Sequence, residues 1–331
     1  MSDPLADLSE EDREKVRDQA FPDWVDPQLA VLTDEYFSDE NWVYERKLDG
    51  VRLLAYRKDG KVRLYSRNKN RNDDTYPEIA EALEGGPDLI IDGEVVTFDS
   101  DVTSFSKLQD RMGIHDAERA TASGVPVFFY AFDILHYDGH DLSRLPLRAR
   151  KSVLRNAVDF KDSIRFTSHR NADGEAFLKE ACRKGWEGVI AKKASAPYRF
   201  KRSKDWLKFK CDKGQELVIG GYSKPEGSRI GFGALLVGYY EDDQLKYAGR
   251  VGTGFDDQFL EEFGAKLKSA ERKTSPFANP PDDKDVHWVQ PKFVGEIGFT
   301  EWTGAGKLRH PRFLGLRDDK DPKSVVRERP K

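Results

Sequence analysis

From Trp42 onward the chain alternates short apolar stretches with charged turns, and the spacing of the apolar positions predicts mostly strands. The stretches "VRLLAY" and "KVRLYS" flank Asp59-Gly60, a hairpin signal, with Val62, Leu64 and Ser66 on one face and Arg63 and Tyr65 on the other. "LIIDGEVVTF" and "VFFYAFDIL" read as apolar strands, the second followed by an Asp138-Gly139 turn, and "EGVIAKK" and "WLKFK" supply two more. Pro77 at a first helical position and Gly85 as a stop bracket a short helix. Further helices are expected at 104–112, 146–158 and 173–184, with Ser104 and Asp173 as caps. Ahead of all this, an acidic helix over Glu10 to Gln19 leads into a Pro-punctuated extended segment.

Past Cys211 the pattern shifts to closely spaced Gly-rich strands, "ELVIGGY", "ALLVGYY" and "LKYAGRVG". One amphipathic helix follows, capped by Asp256, with Phe259, Leu260, Phe263 and Leu267 on its apolar side. A Pro/Asp-rich connector then precedes a final strand near Phe293 to Trp302. Short strands with one inserted helix suit a small barrel of the OB type. The fold class expected is therefore α+β in two domains: antiparallel sheets with flanking helices, then an OB-fold β-barrel. The boundaries expected are an acidic N-terminal extension over 1–40, a first domain over 41–211 and a barrel over 212–331, with a hinge near 211–214.

A length of 331 residues fits two domains better than one core. No apolar run approaches the roughly 20 residues that span a bilayer, and the N-terminus has no signal-peptide pattern. Two cysteines far apart in sequence, Cys182 and Cys211, argue against a disulfide framework and a four-cysteine zinc site, so a reducing cytoplasm is the expected setting. The net charge of −4 hides an asymmetry. Residues 1–40 carry 13 acidic and 3 basic groups, leaving +6 on the remainder, with locally basic segments at Lys58–Arg71 and Lys192–Lys213. Such segments are either solvated faces or a track for a phosphate backbone. The acidic stretch is either a solubilising tail or a competitor for that track.

A charged knot, Glu45, Arg46, Lys47 and Asp49, fronts the first strong hairpin and is followed by Gly50 and Arg52. Lysine attacks only as the free amine, a state favoured by burial or by cationic neighbours. Alone, K-x-D-G reads more readily as a surface lysine paired with Glu45 or Asp49. Lys208 and Lys210 alternate along "WLKFK" and so share a strand face.

The order Lys47-x-Asp49-Gly50-x-Arg52, Ser66-Arg67-Asn68, Asp92-Gly93-Glu94, "FYAFDIL", "EGVIAKK", "WLKFK" and "RHPRFLGLRDDK" resembles the ATP-dependent DNA ligases. "SRIGFGALLVGYY" and "AGRVGTGF" make it most similar to the ligase module of bacterial end-joining ligases of the D type, over about Trp42 to Val326. The resemblance implies that Lys47 takes AMP from ATP and passes it to the 5′-phosphate of nicked or broken duplex DNA. It implies that Glu45 lies by the adenine edge, Phe132 stacks on the base, and Arg52 and Arg67 lie near the ribose and the nick phosphate. Asp49 belongs to the same nucleotide-binding set. Glu94 holds the ribose or a metal ion, Glu187 holds Mg²⁺ (or Mn²⁺), and Lys208 and Lys210 meet the phosphates. Arg317, Asp318 and Lys320, helped by Arg309, orient pyrophosphate, which implies domain closure about the hinge. The implied setting is a nucleoid-associated monomer, with Ku and separate polymerase or nuclease proteins as candidate partners. Two relatives of the lysine motif stay open on these residues, an RNA ligase and an mRNA-capping nucleotidyltransferase, as does a non-catalytic OB-type DNA-binding protein.

Overall fold

The computed structural model describes residues 3–211, 213–225, 227, 229–283 and 285–328. The chain parts into two compact units, one ending at Cys211 and the next at Glu328. Residue 212, inside the expected hinge, lies outside the described residues.

The first unit contains two principal sheets. One is seven-stranded and centres on Val51–Lys58, Leu89–Val96 and Phe128–Tyr137, with Lys61–Ser66 at an edge. Asp59 and Gly60 take φ of 51° and 73° in its hairpin, the mirror-image turn that matches strand twist. Leu53, Ala55, Leu64, Ile91, Val95 and Phe129 pack with Ile79 and Leu83 of helix Pro77–Leu83 and with Val153 and Leu154 of helix Leu147–Ala157. The other sheet runs His169–Asn171, Trp42–Lys47, Gly188–Lys193, Arg202–Lys210, Leu29–Leu32. Tyr44, Val189, Ala191 and Phe209 from this sheet pack with Phe177, Leu178 and Ala181 of helix Gly174–Arg183. Because side chains alternate along a strand, Glu45, Lys47, Lys208 and Lys210 belong to the opposite face. Leu54, Tyr56, Ile90 and Phe132 of the first sheet cluster with Trp206 of the second and with Tyr198, so the two sheets meet around these rings.

Of the expected acidic extension over 1–40, the described residues, 3–40, are built into this unit. The helix is only Glu10–Arg13; the chain then turns, and Arg17–Asp18 pairs with His140–Asp141. Leu8 is buried in the main core with Leu5 and Val16 against it, Phe21 and Trp24 pack beside Tyr56 and Tyr65, and Leu29–Leu32 forms an edge strand parallel to Arg202–Lys210. These apolar anchors are sparse among the acids, and their partners lie far along the chain. Asp173 makes no capping hydrogen bond; instead Ser38 Oγ accepts from the Glu175 amide at 3.1 Å and Asp173 faces Arg170. A helix at Ala117–Ala122, capped by Asp116, was not expected. The two cysteines, whose separation in sequence argued against a disulfide framework, form a disulfide, Cys182–Cys211, with Cα atoms 5.3 Å apart. Packing of the Gly174–Arg183 helix on the sheet brings its end to the end of strand Arg202–Lys210, which a separation of 29 residues does not reveal.

The second unit is an antiparallel sheet curled on itself, as an OB-type barrel requires. Irregularities at Ile219/Gly221, Val237/Gly238 and Glu296/Ile297 bend its strands. Leu217, Ile219, Phe232, Val237, Ile297 and Phe313 fill it together with Phe263 and Leu267 of helix Asp257–Ser269, whose cap is Asp256 as expected. The last long strand is Val286–Phe299, starting well before Phe293. No helix among the described residues is long and apolar enough to cross a membrane.

Candidate active site

Three strands lie abreast with Lys47, Gly188 and Lys210 in register, and two residues along Glu45, Ile190 and Lys208 are in register too. Paired residues of an antiparallel sheet point to the same face, so Lys47, Lys208 and Lys210 converge. Glu187 lies at the head of the middle strand. One of its carboxylate oxygens meets Lys47 Nζ and the other lies 3.4 Å from Lys210 Nζ. Burial works to raise this carboxyl, but Lys47, Lys210 and Lys208 outweigh burial and hold it below the usual range. The arrangement depends on two glycines. Gly188 has φ of 148°, and a Cβ there would lie 2.0 Å from the Phe209 carbonyl oxygen; a Cβ on Gly50 would lie 2.1 Å from that of Val95. Asp49 is half-buried in the same turn, its amide donating to Thr103 Oγ1 at 3.3 Å.

The cations near Lys47 are not those its sequence neighbourhood suggests. Arg46 alternates to the other face and lies over Trp186. Arg52 Nε donates to Asp92 Oδ1 at 2.8 Å while its second nitrogen meets Asp92 Oδ2, and a third donates to the Gln28 carbonyl at 2.7 Å. Tyr198 Oη also donates to Asp92 Oδ2, at 2.6 Å. Burial opposes the Arg52 charge, yet Asp92 more than restores it and holds the guanidinium above its ordinary pKa. Glu94 pairs in register with both Arg52 and Tyr130. Arg67 is half-buried in the turn after Lys61–Ser66. Phe132 is 9% exposed and meets Trp206 edge-on at 6.0 Å, with Lys192 Nζ 4.2 Å and the Arg52 guanidinium 5.2 Å from its ring centre.

Glu45, placed by the resemblance at the adenine edge, is 2% exposed and engaged on both oxygens. Lys151 Nζ lies 2.5 Å from Oε1 and Lys192 Nζ lies 2.6 Å from Oε2. Burial would raise the Glu45 carboxyl, but the two ammonium groups keep it below its usual value; burial lowers Lys192 despite Glu45. A buried charge stripped of its partner is costly, so Lys151→Met should destabilise the protein by about 3–5 kcal/mol in urea unfolding. A change under about 1 kcal/mol, the level of an exposed pair, would show that the triad is not holding this part of the sheet.

Asp92, Tyr198, Gln28, Lys151 and Lys192 thus support the expected set without having been singled out. Asp92 lies inside the quoted Asp-Gly-Glu and was within reach of the sequence; nothing local marks Gln28 or Tyr198. In the second unit Arg317 is half-buried and bidentate on Asp319, both bonds 2.9 Å, and Lys320 lies 2.9 Å from Glu216. Burial raises the Asp318 carboxyl, and Arg309 pairs with Glu301.

A family model described as ATP dependent DNA ligase domain matches residues 27–210, and one described as ATP dependent DNA ligase C terminal region matches 228–320. The chain is 36% identical over 321 residues to the multifunctional non-homologous end joining protein LigD of Pseudomonas aeruginosa, an alignment covering 94% of this chain and 37% of that protein. It is 35% identical over 327 residues to the protein of the same name in Mycolicibacterium smegmatis, covering 96% and 41%. The chain therefore spans well under half the length of these relatives. A solved structure described as mycobacterial DNA ligase D complexed with ATP and MES matches with a TM-score of 0.66 at 34% identity, over 92% of this chain and 98% of that one.

Proposed function

The chain belongs to the ATP-dependent DNA ligases, and from that premise we propose that it joins 3′-hydroxyl to 5′-phosphate termini in duplex DNA during the repair of broken ends, carrying AMP on Lys47. The observation that carries this reading is the convergence of Lys47, Lys208, Lys210 and Glu187 on one sheet face. Phosphoryl-type transfer asks the protein mainly for positioning and charge neutralisation, and that is what such a face supplies.

Lys47 attacks the α-phosphorus of ATP as the free amine, so its ion pair with Glu187 opens before the step, and pyrophosphate leaves as the N–P bond forms. Lys208 and Lys210 neutralise phosphate oxygens. AMP then passes to the 5′-phosphate, and the 3′-hydroxyl displaces it. The base stacks at Phe132 over the floor formed by Glu45 and Lys192, while Asp92 and Gln28 hold Arg52 towards the ribose and DNA phosphate, with Arg67 and Asp49 alongside. Glu94 and Glu187 offer two hard carboxylates, a donor set that fits Mg²⁺ or Mn²⁺ shared with substrate phosphates rather than caged by protein. Such a cation supplies positive charge against the phosphates. For Arg317 and Lys320 the same reading assigns the departing pyrophosphate, whose oxygens replace Asp319 and Glu216 as their partners. A monomer working with Ku, or with separate polymerase or nuclease proteins, is the setting this reading implies.

The test is sealing of a singly nicked, end-labelled duplex. With ATP and Mg²⁺ the label should move to the full-length strand, and GTP should not replace ATP. Sealing with GTP, or none with ATP, would overturn the reading.

A further inference from the structure

Beside the nucleophile the first unit carries a row of cations and rings that the ligation chemistry leaves unused. Lys184 Nζ lies 4.9 Å from the Trp186 ring centre, the Arg46 guanidinium 4.1 Å from Trp186 and 5.7 Å from Phe98, and Phe98 5.8 Å from Phe128. The Arg165 guanidinium closes the row 5.2 Å from Phe128. Tyr130 flanks it, 6.1 Å from Phe98. All four rings are half-buried rather than core, and Phe98 is turned 60° and 62° from its two neighbours, so these rings do not stack on one another.

The row is fixed to the site by chain and by bonds. Arg46 and Trp186 immediately precede Lys47 and Glu187, and Tyr130 is in register with Glu94. Phe98 lies in a two-stranded hairpin with Thr103, whose hydroxyl accepts from the Asp49 amide; Arg46 donates to the Asp101 carbonyl at 3.2 Å.

Neither Arg46 nor Arg165 forms an ion pair among the described residues, although the exposed carboxylates Asp99 and Asp101 lie in the same hairpin as Phe98. Arg46 Nε is buried without a hydrogen-bond partner there, and Arg165 donates only to the carbonyl of Ile164. Surface arginines normally take such carboxylates or water. Here they are held by ring faces and backbone oxygens, so neither guanidinium charge is met by a carboxylate among the described residues.

Alternating rings and unpaired guanidinium groups are what unpaired nucleotides recognise, bases stacking on rings and guanidinium planes while phosphates meet the cations. We propose that the row Lys184–Trp186–Arg46–Phe98–Phe128–Arg165 is a stacking platform for the short single-stranded segment of a DNA end next to the break. The proposal rests on the ligase reading and adds to it the form of DNA end preferred: a recessed or overhanging end rather than a flush nick.

The experiment uses the full chain, with fluorescence anisotropy on a flush nicked duplex and on the same duplex carrying a short overhang. Self-adenylation and flush-nick sealing are run in parallel. Phe98→Ala and Arg165→Ala should each weaken overhang binding by about tenfold, near the loss expected for one stacked base, and leave flush-nick sealing and AMP uptake unchanged. Phe98→Leu, which keeps apolar packing but no π-face, should behave as Phe98→Ala. Equal loss on both substrates, or no loss on the overhang, overturns the platform. Failure of the unaltered protein to take AMP or to seal the flush nick would instead overturn the ligase reading.

Discussion

Lys47→Ala should take no AMP from ATP labelled at the α-phosphate, leaving the denatured band unlabelled at any ATP concentration. The loss is expected to be complete, because the nucleophile is removed rather than weakened. Lys210 lies across Gly188 from Lys47 in the same register but is turned to the other oxygen of Glu187, and Lys208 lies two pairs further along. Both meet phosphate oxygens in this account, not phosphorus. Lys47→Arg separates the two duties of the residue. A guanidinium keeps the positive charge and the pairing with Glu187, but it does not deprotonate in a protein. It should be as inert as alanine while the protein stays folded. Residual label in either variant at the unaltered level would move the nucleophile elsewhere.

Glu187→Gln should slow single-turnover self-adenylation by about 10²–10³-fold, the range seen when one preorganised electrostatic group is removed from an active site. The substitution is nearly isosteric and leaves the Glu187 carbonyl, which accepts from the Cys211 amide at 3.1 Å, in place. Only the carboxylate charge goes. Two roles for that charge predict opposite signs. If Glu187 served merely to neutralise Lys47, its loss would free the amine and the step would run faster. If it holds positive charge against the phosphates, the step slows, and raising Mg²⁺ recovers part of the rate. A faster step would contradict the role assigned here.

Features written in local chemistry could be read from the chain. The Asp59-Gly60 and Asp138-Gly139 turns, all four residues at positive φ, follow from residue type and flanking alternation. So do the caps at Ser104 and Asp256 and the shared face of Lys208 and Lys210. The resemblance supplied what pattern could not, that Lys47 and Glu187, 140 residues apart, belong together. What escaped depends on distant partners. Ser38 replaces Asp173 as a cap, Leu8 and Trp24 turn an acidic stretch into a wall of the first unit, and Cys182 finds Cys211. Glu45 shows the limit most clearly. Its place at the head of the motif was legible, but its engagement by Lys151 and Lys192 comes from a helix and a strand more than 100 residues on.

The central claim is a covalent relay through Lys47, and a pulse–chase tests it most directly. The protein is charged with ATP labelled at the α-phosphate, freed of nucleotide, and given a nicked duplex with no ATP. The account predicts that label leaves the protein, appears on the 5′-phosphate and is released as AMP as the strand becomes continuous, one nick per adduct. Label that stays on the protein while nicks are sealed only after fresh ATP is added would contradict it.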